Sequence, residues 1–477
     1  MRDGAAGNGT TREHPAPVSP AKSAAPMTHI GTTHAAASTA DIARTAIRWL
    51  VALVLVELVF LQHGRVSMPD GPSLRIPLFA IALGTTVAVA ALLSPAGRRE
   101  VFASLSHWLL CTVGLLGIAV PAWGGLVGLA TGTSWRDVFG DANGHVFHLI
   151  AIPMVAALRP DDAGWLMRTL SRVVCVFCVV CLAVYVAAVS DPTASHTIEE
   201  TLRTQHLGFL NEFTDGRPYR LWFKSYVFVL AALLVAGHRV MARRAAREDW
   251  VTLALTGLVL WNSYTRSIWL MAGLSLALLA ILEHRRRAIA WLVPTLGAAV
   301  ATPLVASPDA LSRLRLDDRD GTIAVRLRQV TALVESWLAR PITGAGFGTP
   351  IAAGGVSVEL DLLNLLRKIG LVGAALYVAA FWAPLAHCRR ALARSPGCPD
   401  HVAVFLAACM SVFGMGFFNP YATASLGVGL LAIGFATLSA GEAGAAPIPR
   451  SSERPEIRDE IPDLVGGERL ETGGPLG

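Results

Sequence analysis

The sequence predicts an all-α polytopic membrane protein, a helical bundle of about twelve transmembrane helices with a large loop before the tenth span. Three observations predict this fold class. The chain is 53% hydrophobic and only 16% charged, whereas about a quarter of the residues of a soluble domain are charged. Apolar runs recur along the chain, most of them close to the roughly 20 residues that cross the hydrocarbon core as a helix. Arginines gather in alternate connections between these runs.

The two ends of the chain have compositions typical of disorder. Residues 1–42 are rich in Ala, Thr, Ser, Gly and Pro and show no apolar period, and they lack the compact apolar core of a secretory signal. Residues 441–477 combine Pro and Gly with mixed charge. We expect a disordered amino-terminal tail, with either Met1 or Met27 as the first residue, and a disordered cytoplasmic tail.

Between the tails, transmembrane helices 1–9 are expected within residues 43–306 and helices 10–12 within residues 362–440, separated by a loop domain at 307–361. The individual spans are predicted at 46–62, 76–94, 106–127, 144–158, 169–189, 221–237, 249–263, 267–282, 289–306, 362–386, 402–418 and 422–440.

Arginine placement predicts the orientation, since short cytoplasmic loops carry an excess of basic residues. With twelve spans, five arginine-bearing connections fall on one side, and that side is then the cytoplasm, with both termini inside. These connections contain Arg98 and Arg99, Arg159 to Arg172, Arg239 to Arg247, Arg285 to Arg287, and Arg389 to Arg394. The opposite side receives 63–75, 128–143, 190–220, 263–266, 307–361 and 419–421.

The net charge of +6 does not indicate nucleic-acid binding, because most of the basic residues lie in these short loops. The cysteines at positions 175, 178 and 181 are spaced closely enough to suggest a metal site. They lie in an apolar helix without polar support for four converging ligands, so packing is the better interpretation. The sequence therefore predicts neither a metal site nor a cofactor.

The loop 307–361 is the richest polar segment, with six arginines against seven acidic residues. Its stretch Ala324 to Leu338 has apolar residues at helical spacing and predicts an amphipathic helix on the membrane surface. Pro341 then ends the helix. The glycines at 344, 346 and 348 allow the backbone either to turn sharply or to approach a ligand.

Four basic residues on the predicted outer side are candidates for anion binding. Arg266 lies between two apolar spans, where a charge is costly; it either anchors the interface beside Tyr264 and Trp269 or points its guanidinium at a phosphate. Arg217, Arg220 and Lys224 cluster where loop 190–220 enters the next span, with Arg220 and Lys224 expected on one helix face. These three residues either snorkel to lipid headgroups or form, together with Arg266 and Arg326, a cationic pocket for a pyrophosphate. The substrate-binding candidates are Arg217, Arg220, Lys224 and, from the start of the tenth span, Asp361.

Glu359 and Asp361 lie at the predicted start of the tenth span. A carboxylate there either caps the helix dipole or acts as a general base on an attacking hydroxyl. Asp361, Asn364 and Lys368 share a helix face, so this polar stripe is a candidate cavity lining. Glu57 is a further acid inside the first span, and the sequence names no partner for it.

The block from Arg326 to Gly373 resembles the signature region of the bacterial O-antigen ligase and O-antigen polymerase superfamily. An arginine precedes a Trp-containing helix (Trp337), then Pro341-Ile-Thr-Gly-Ala-Gly-Phe-Gly348, then Gly370-Leu-Val-Gly373. Thr265-Arg266-Ser267 followed by Trp269 resembles the family's Ser-Arg-Ser/Gly-x-Trp. The ligases carry a histidine about where Glu359 stands, eleven residues before Gly370, and this departure favours the polymerase side of the superfamily.

The resemblance implies a metal-independent glycosyltransferase of the bacterial inner membrane with a periplasmic loop domain. It would transfer a glycan from an undecaprenyl-pyrophosphate-linked oligosaccharide donor to a glycan acceptor or to lipid A-core. Arg266 and Arg326 would hold the pyrophosphate and Glu359 would act on the acceptor hydroxyl. The implied partners are the lipid bilayer, chain-length regulators and flippases, without nucleic acid. A ligase, a multi-span transporter and a non-catalytic scaffold are the alternatives.

Overall fold

A computed structural model of the protein describes residues 45–61, 65–67, 73–75, 78–93, 105–159, 162–205, 207–213, 217–263, 265–283, 322–351, 360–395, 397–417 and 421–445. The described part of the chain is mostly helical (83%). The chain divides into a unit Met1–Ala46, of which only the last two residues are described, and a unit Ile47–Gly477. Apart from those two residues, which begin the first helix, all features below belong to the second unit. The predicted tail 1–42, the predicted span 289–306 and most of the tail 441–477 lie outside the described residues.

The helices follow the apolar runs of the sequence closely. In chain order they are α1 (45–56, continuing as a π-helical turn Glu57–Leu61), α2 (Leu78–Leu93), α3 (His107–Ala130, with a π-helical turn at Leu115–Ala119), α4 (Trp135–Val146), a 3₁₀ turn Phe147–Ile150, α5 (Ala151–Ala157), α6 (Ala163–Ser190), α7 (Pro192–Thr204), α8 (Tyr226–Met241), α9 (Arg247–Asn262), α10 (Arg266–Leu282), α11 (Thr322–Leu338), α12 (Asp361–Arg394), α13 (Asp400–Gly416) and α14 (Ser425–Ala445).

Four of the described helices are long and apolar enough to cross a membrane: His107–Ala130, Ala163–Ser190, Asp361–Arg394 and Ser425–Glu442. Four shorter apolar helices accompany them: Leu78–Val89, Tyr226–Met241, Ser267–Leu282 and Asp400–Gly416. The protein thus has the character of a membrane protein, while the count of about twelve spans remains a prediction.

Burial differs strongly between helices. Helix α14 is 89% buried over its most apolar window, whereas α6 is only 28% buried. Val176, Val179 and Val186 of α6 are all exposed. An apolar helix that leaves valines exposed on one face needs a lipid environment, since water would penalise that face.

Two segments that the sequence assigned to connections are helical, and their amino ends explain why. Ser134 caps α4 by accepting a hydrogen bond from the Asp137 amide (3.2 Å). Asp191 caps α7 by accepting from the Thr193 amide (2.8 Å), with proline at the first helical position. Such caps satisfy the otherwise orphaned first amides of a helix. The connection predicted at 128–143 thus contains most of α4, and the short span predicted at 144–158 coincides with the end of α4, the 3₁₀ turn and α5.

A β-hairpin replaces the helix expected around Arg220. Strands β3 (Gly208–Phe213) and β4 (Arg217–Phe223) pair in antiparallel register, with Phe209 opposite Trp222 and Asn211 opposite Arg220. Aromatic residues at such opposed positions favour strands. A second, short hairpin pairs β1 (Arg65–Ser67) with β2 (Ser73–Arg75). The prediction that Arg220 and Lys224 share a helix face is wrong, because Arg220 lies in β4 and Lys224 follows it.

Candidate functional site

Helix α12 is interrupted at Gly370, which has φ 60° and ψ −167°. The interruption separates a first half, 361–369, from a second half, 371–394. At such a break the last carbonyls of the first half and the first amides of the second lose their helical partners. These groups are buried among apolar helices, so they need other hydrogen-bond partners.

The loop 340–348 supplies most of these partners. The amides of Ala345 and Gly346 donate to the carbonyls of Arg367 (2.8 Å) and Lys368 (2.9 Å) in the first half of α12. In the other direction, the amide of Leu371 donates to the carbonyl of Pro341 (2.9 Å).

Two further bonds complete the join. The Val372 amide donates to the Ile342 carbonyl (3.1 Å), and the Trp123 indole of α3 donates to the Ile369 carbonyl (2.9 Å). The Pro-Ile-Thr-Gly loop and the Gly-Leu-Val-Gly segment, which are separate in sequence, therefore form one hydrogen-bonded unit across the broken helix.

The loop glycines allow this docking by bringing backbones together. Gly344, Gly346 and Gly348 all have positive φ, at 80°, 90° and 76°. A Cβ on Gly344 would meet the backbone of Lys368 and Gly370, and one on Gly346 would meet the backbone of Gly128 in α3. The positive φ angles agree with the sharp turning expected of these glycines, and the close approach that the structure shows is to neighbouring protein backbone.

Asp141 of α4 joins the loop to α12. Its carboxylate accepts from the Gly348 amide (2.5 Å) and from Lys368 Nζ (2.7 Å). The Lys368 side chain is 15% exposed and that of Asp141 29% exposed. This partly buried ion pair therefore ties three segments together.

Arg367 is almost fully buried (1% exposed). Its guanidinium donates to Asn364 Oδ1 (3.2 Å) and to the Thr349 carbonyl (2.9 Å). A buried charge of this kind is tolerated only when it is hydrogen-bonded. The polar stripe predicted on this helix is thus present, but its described side chains contact other parts of the protein.

Asp361 is the first residue of α12 and is 2% exposed. Its carboxylate accepts from the Thr423 amide (2.8 Å) and the Thr423 hydroxyl (2.6 Å), which precede α14. These bonds anchor the amino end of α12. Glu359, the predicted base, lies outside the described residues. Arg326 is half-buried in α11, which packs against α12.

One of the basic candidates, Arg220 of β4, contacts the start of α10. Its Nη2 donates to Thr265 Oγ1 at 3.3 Å. Thr265 is the residue that immediately precedes α10, which begins at Arg266. The Arg220 guanidinium also lies over the Phe209 ring at 5.2 Å. The side chains of Arg217 and Arg266 lie outside what the structure describes.

Among the described residues, no side chain caps the amino end of α10. Uncapped amides and the helix dipole make such an end favourable for negative charge. The Arg220 guanidinium is thus held at the amino end of α10. Arg266 is the first residue of the same helix. Lys224 is half-buried, and its amide donates to the Leu207 carbonyl (3.0 Å) at the end of the hairpin.

Some residues of these clusters escaped sequence reasoning. Asp141 stood in a stretch interpreted as a polar loop, and only the Ser134-x-x-Asp137 capping pattern indicated a helix there. Arg367 carried no pattern of its own. The partner of Glu57 is the backbone: its carboxylate accepts from the amides of Leu78 (2.6 Å) and Phe79 (2.9 Å) at the start of α2.

No protein-family model matches the sequence, and a search of curated proteins finds no significant match.

Proposed function

We propose that this protein is a membrane glycosyltransferase that polymerises undecaprenyl-pyrophosphate-linked repeat units of a cell-surface polysaccharide at the periplasmic face of the bacterial inner membrane. The observation that carries the proposal is the 3.3 Å contact between Arg220 and Thr265. It brings a cation from a hairpin to the uncapped amino end of the helix that begins with Arg266.

This arrangement suits a pyrophosphate leaving group. Guanidinium groups match phosphate oxygens with paired hydrogen bonds, and a helix amino end adds favourable dipoles. Negative charge grows on the leaving group as the glycosidic bond breaks, so fixed positive groups there lower the barrier. Arg220 and Arg266 would bind the donor, with Arg326 of α11 and the nearby Arg217 and Lys224 as further cationic groups.

Glu359 is the proposed base for the acceptor hydroxyl. Asp361, two residues later, has both carboxylate oxygens engaged by Thr423, which suits an anchor better than a proton acceptor. The resemblance of 326–373 to the O-antigen ligase and polymerase superfamily supports the same chemistry. Glu359 in place of the ligase histidine is the reason to favour a polymerase over a ligase acting on lipid A-core, with flippases and chain-length regulators as partners.

A multi-span transporter is the second candidate, and the broken helix favours it. Transporters often hold substrates or ions at interrupted helices near charged groups, and α12 combines an interruption at Gly370 with the Asp141–Lys368 pair. The backbone groups beside Gly370 that the interruption deprives of helical partners are, however, bonded to the loop 340–348 and to Trp123. This occupation favours a structural join over an ion site.

Turnover of a lipid-pyrophosphate-linked oligosaccharide by the purified full chain in nanodiscs tests the proposal. Products are sized with and without lipid A-core acceptor for wild type, Arg220→Ala, Arg266→Ala, Glu359→Gln and the matched control Arg203→Ala, an exposed arginine of α7. We expect chain lengthening without core, lost in the first three variants and kept in the control. Transfer only to core would make the protein a ligase. Absence of transfer, with donor movement across vesicles, would establish the transporter instead.

A further inference from the structure

A stripe of three titratable side chains runs inward along α4 and the 3₁₀ turn that follows it. Asp141, His145 and His148 are spaced by four and three residues, which places them on one face of a helical segment. At about 1.5 Å rise per residue the stripe covers about 10 Å. It starts at the partly exposed Asp141–Lys368 pair and ends in the apolar core.

The two histidines are fully buried, each at 0% exposure. Within the described part of the chain, neither ring nitrogen of His145 or of His148 has a hydrogen-bond partner. A neutral imidazole carries one donor and one acceptor, so two rings leave four such groups unmatched. Buried polar groups without partners are rare because they lose their hydrogen bonds to water on folding.

A third unmatched group lies beside them. The Tyr377 ring of α12 stands edge-on to His145, with ring centroids 6.2 Å apart, and its buried hydroxyl also lacks a partner among the described residues. On the other side, the Phe347 ring stacks on His145 at 5.4 Å. The rings of His145 and Tyr377 thus lie side by side, with Phe347 of the docked loop stacked on His145.

Water is the ligand that fits these groups. Internal waters typically make about three hydrogen bonds to buried polar groups that lack protein partners. A water between imidazoles can both donate and accept, as their tautomers require. Larger polar ligands are disfavoured because both histidines are fully buried beside aromatic rings: Phe347 stacks on His145, and the ring of Phe435 lies 6.3 Å from that of His148.

We propose that Asp141, His145, His148 and the Tyr377 hydroxyl bind a file of internal water molecules, which forms a route for proton exchange between the Asp141–Lys368 pair and the core of the bundle. Each imidazole in the file accepts a hydrogen bond at one nitrogen and donates from the other. A proton that arrives at the first nitrogen while the second releases its own leaves the ring in its other tautomer, and a transfer in the opposite direction restores the original one. This assignment is independent of the proposed enzymatic activity.

Radiolytic hydroxyl-radical footprinting of the full chain in nanodiscs tests for the water, because radicals form at bound water and modify adjacent side chains even when these are buried. The control is Met154 of α5, which is equally buried (0% exposed) and of intrinsically higher reactivity. We expect His145, His148 and Tyr377 to be modified at least ten times faster than Met154. Equal or slower modification of the histidines would mean a dry core and would overturn the proposal.

Exchange of the imidazole N–H protons tests the route. In histidine-labelled protein, the ¹⁵N signals of the two rings are identified by their loss in His145→Phe and His148→Phe. We expect both N–H groups of the wild type to exchange with deuterated solvent within seconds. Protection for hours, like that of core backbone amides, would contradict a connected file even if the footprint detects water.

Discussion

Gly370 shows at the scale of a residue why the docked loop and the broken helix depend on each other. Its φ of 60° lies in the left-handed region, and a Cβ there would meet the backbone of Ile342 and Gly344. The Gly-Leu-Val-Gly pattern was noticed from the sequence, but only as a motif. The spacing of residues in the sequence does not show that Gly370 ends the first half of α12, or that the loop 340–348 bonds to both halves.

Substitution Gly370→Ala should destabilise the protein strongly. A φ of 60° with a ψ of −167° is a conformation that only glycine adopts readily and that costs other residues about 1–3 kcal/mol, and displacement of the loop adds to this. We expect the apparent Tm in detergent to fall by several degrees. The matched control is Gly257→Ala in α9, whose Cβ would meet nothing within 4 Å. A Tm for Gly370→Ala equal to that of the control would contradict the account of the break.

Asp361 is a second test at this scale. Because its carboxylate is held by the Thr423 amide and hydroxyl, we expect Asp361→Asn and Thr423→Val to lower the apparent Tm to a similar degree, with little further loss in the double variant. Donor affinity should be unchanged in all three. A selective loss of donor affinity in Asp361→Asn, at unchanged Tm, would return Asp361 to the substrate site.

At the scale of elements, the structure differs from the expectation mainly where helix caps and strand pairing, which the hydrophobic pattern does not show, determine the local structure. Apolar periodicity located the bundle helices and the amphipathic helix α11, which spans Thr322–Leu338 where 324–338 was expected. It missed α4 and α7, because these helices are polar and depend on the caps Ser134 and Asp191. It also missed the hairpin β3–β4, which depends on the pairing of its two strands and not on helical periodicity.

The Asp141–Lys368 pair links α4 to α12 and should act as a cross-brace. We expect Asp141→Asn and Lys368→Met each to lower the free energy of unfolding, and a double-mutant cycle to give a coupling of about 1 kcal/mol, because the pair is partly exposed and therefore screened. The Arg172–Glu248 pair, which is much more exposed (64% and 52%), is the control and should couple less. Coupling near zero at Asp141–Lys368 would refute the brace.

At the scale of the whole molecule, composition was sufficient for the fold class and insufficient for the number of spans. Four described helices meet the length and hydropathy of a membrane span. The shorter apolar helices do not reach that length, so the number of further spans does not follow from them. The candidate site was predictable in its parts, Arg220 and Arg266. A cationic pocket shared by these arginines was also expected, but the contact of Arg220 with Thr265 was not, since it arises when the hairpin and the turn before α10 pack together.

Cysteine labelling tests the orientation that the arginine distribution predicts. Arg203 in α7 and Arg247 at the start of α9 are both exposed and are expected on opposite sides of the membrane. In spheroplasts, a membrane-impermeant maleimide should label Arg203→Cys directly and Arg247→Cys only after permeabilisation, above the background of the native cysteines. Labelling in the reverse order would contradict the predicted orientation and place Arg220 and Arg266 on the cytoplasmic side.

The affinity of the purified protein for an undecaprenyl diphosphate that carries no sugar tests the central claim most directly, because it isolates diphosphate binding from catalysis. Charge-assisted hydrogen bonds contribute about 1.5–3 kcal/mol each, so Arg220→Ala and Arg266→Ala should each weaken binding about 10- to 100-fold. Arg203→Ala should bind like wild type. Equal affinity of all four proteins, each correctly folded by its Tm, would contradict a pyrophosphate site at the start of α10.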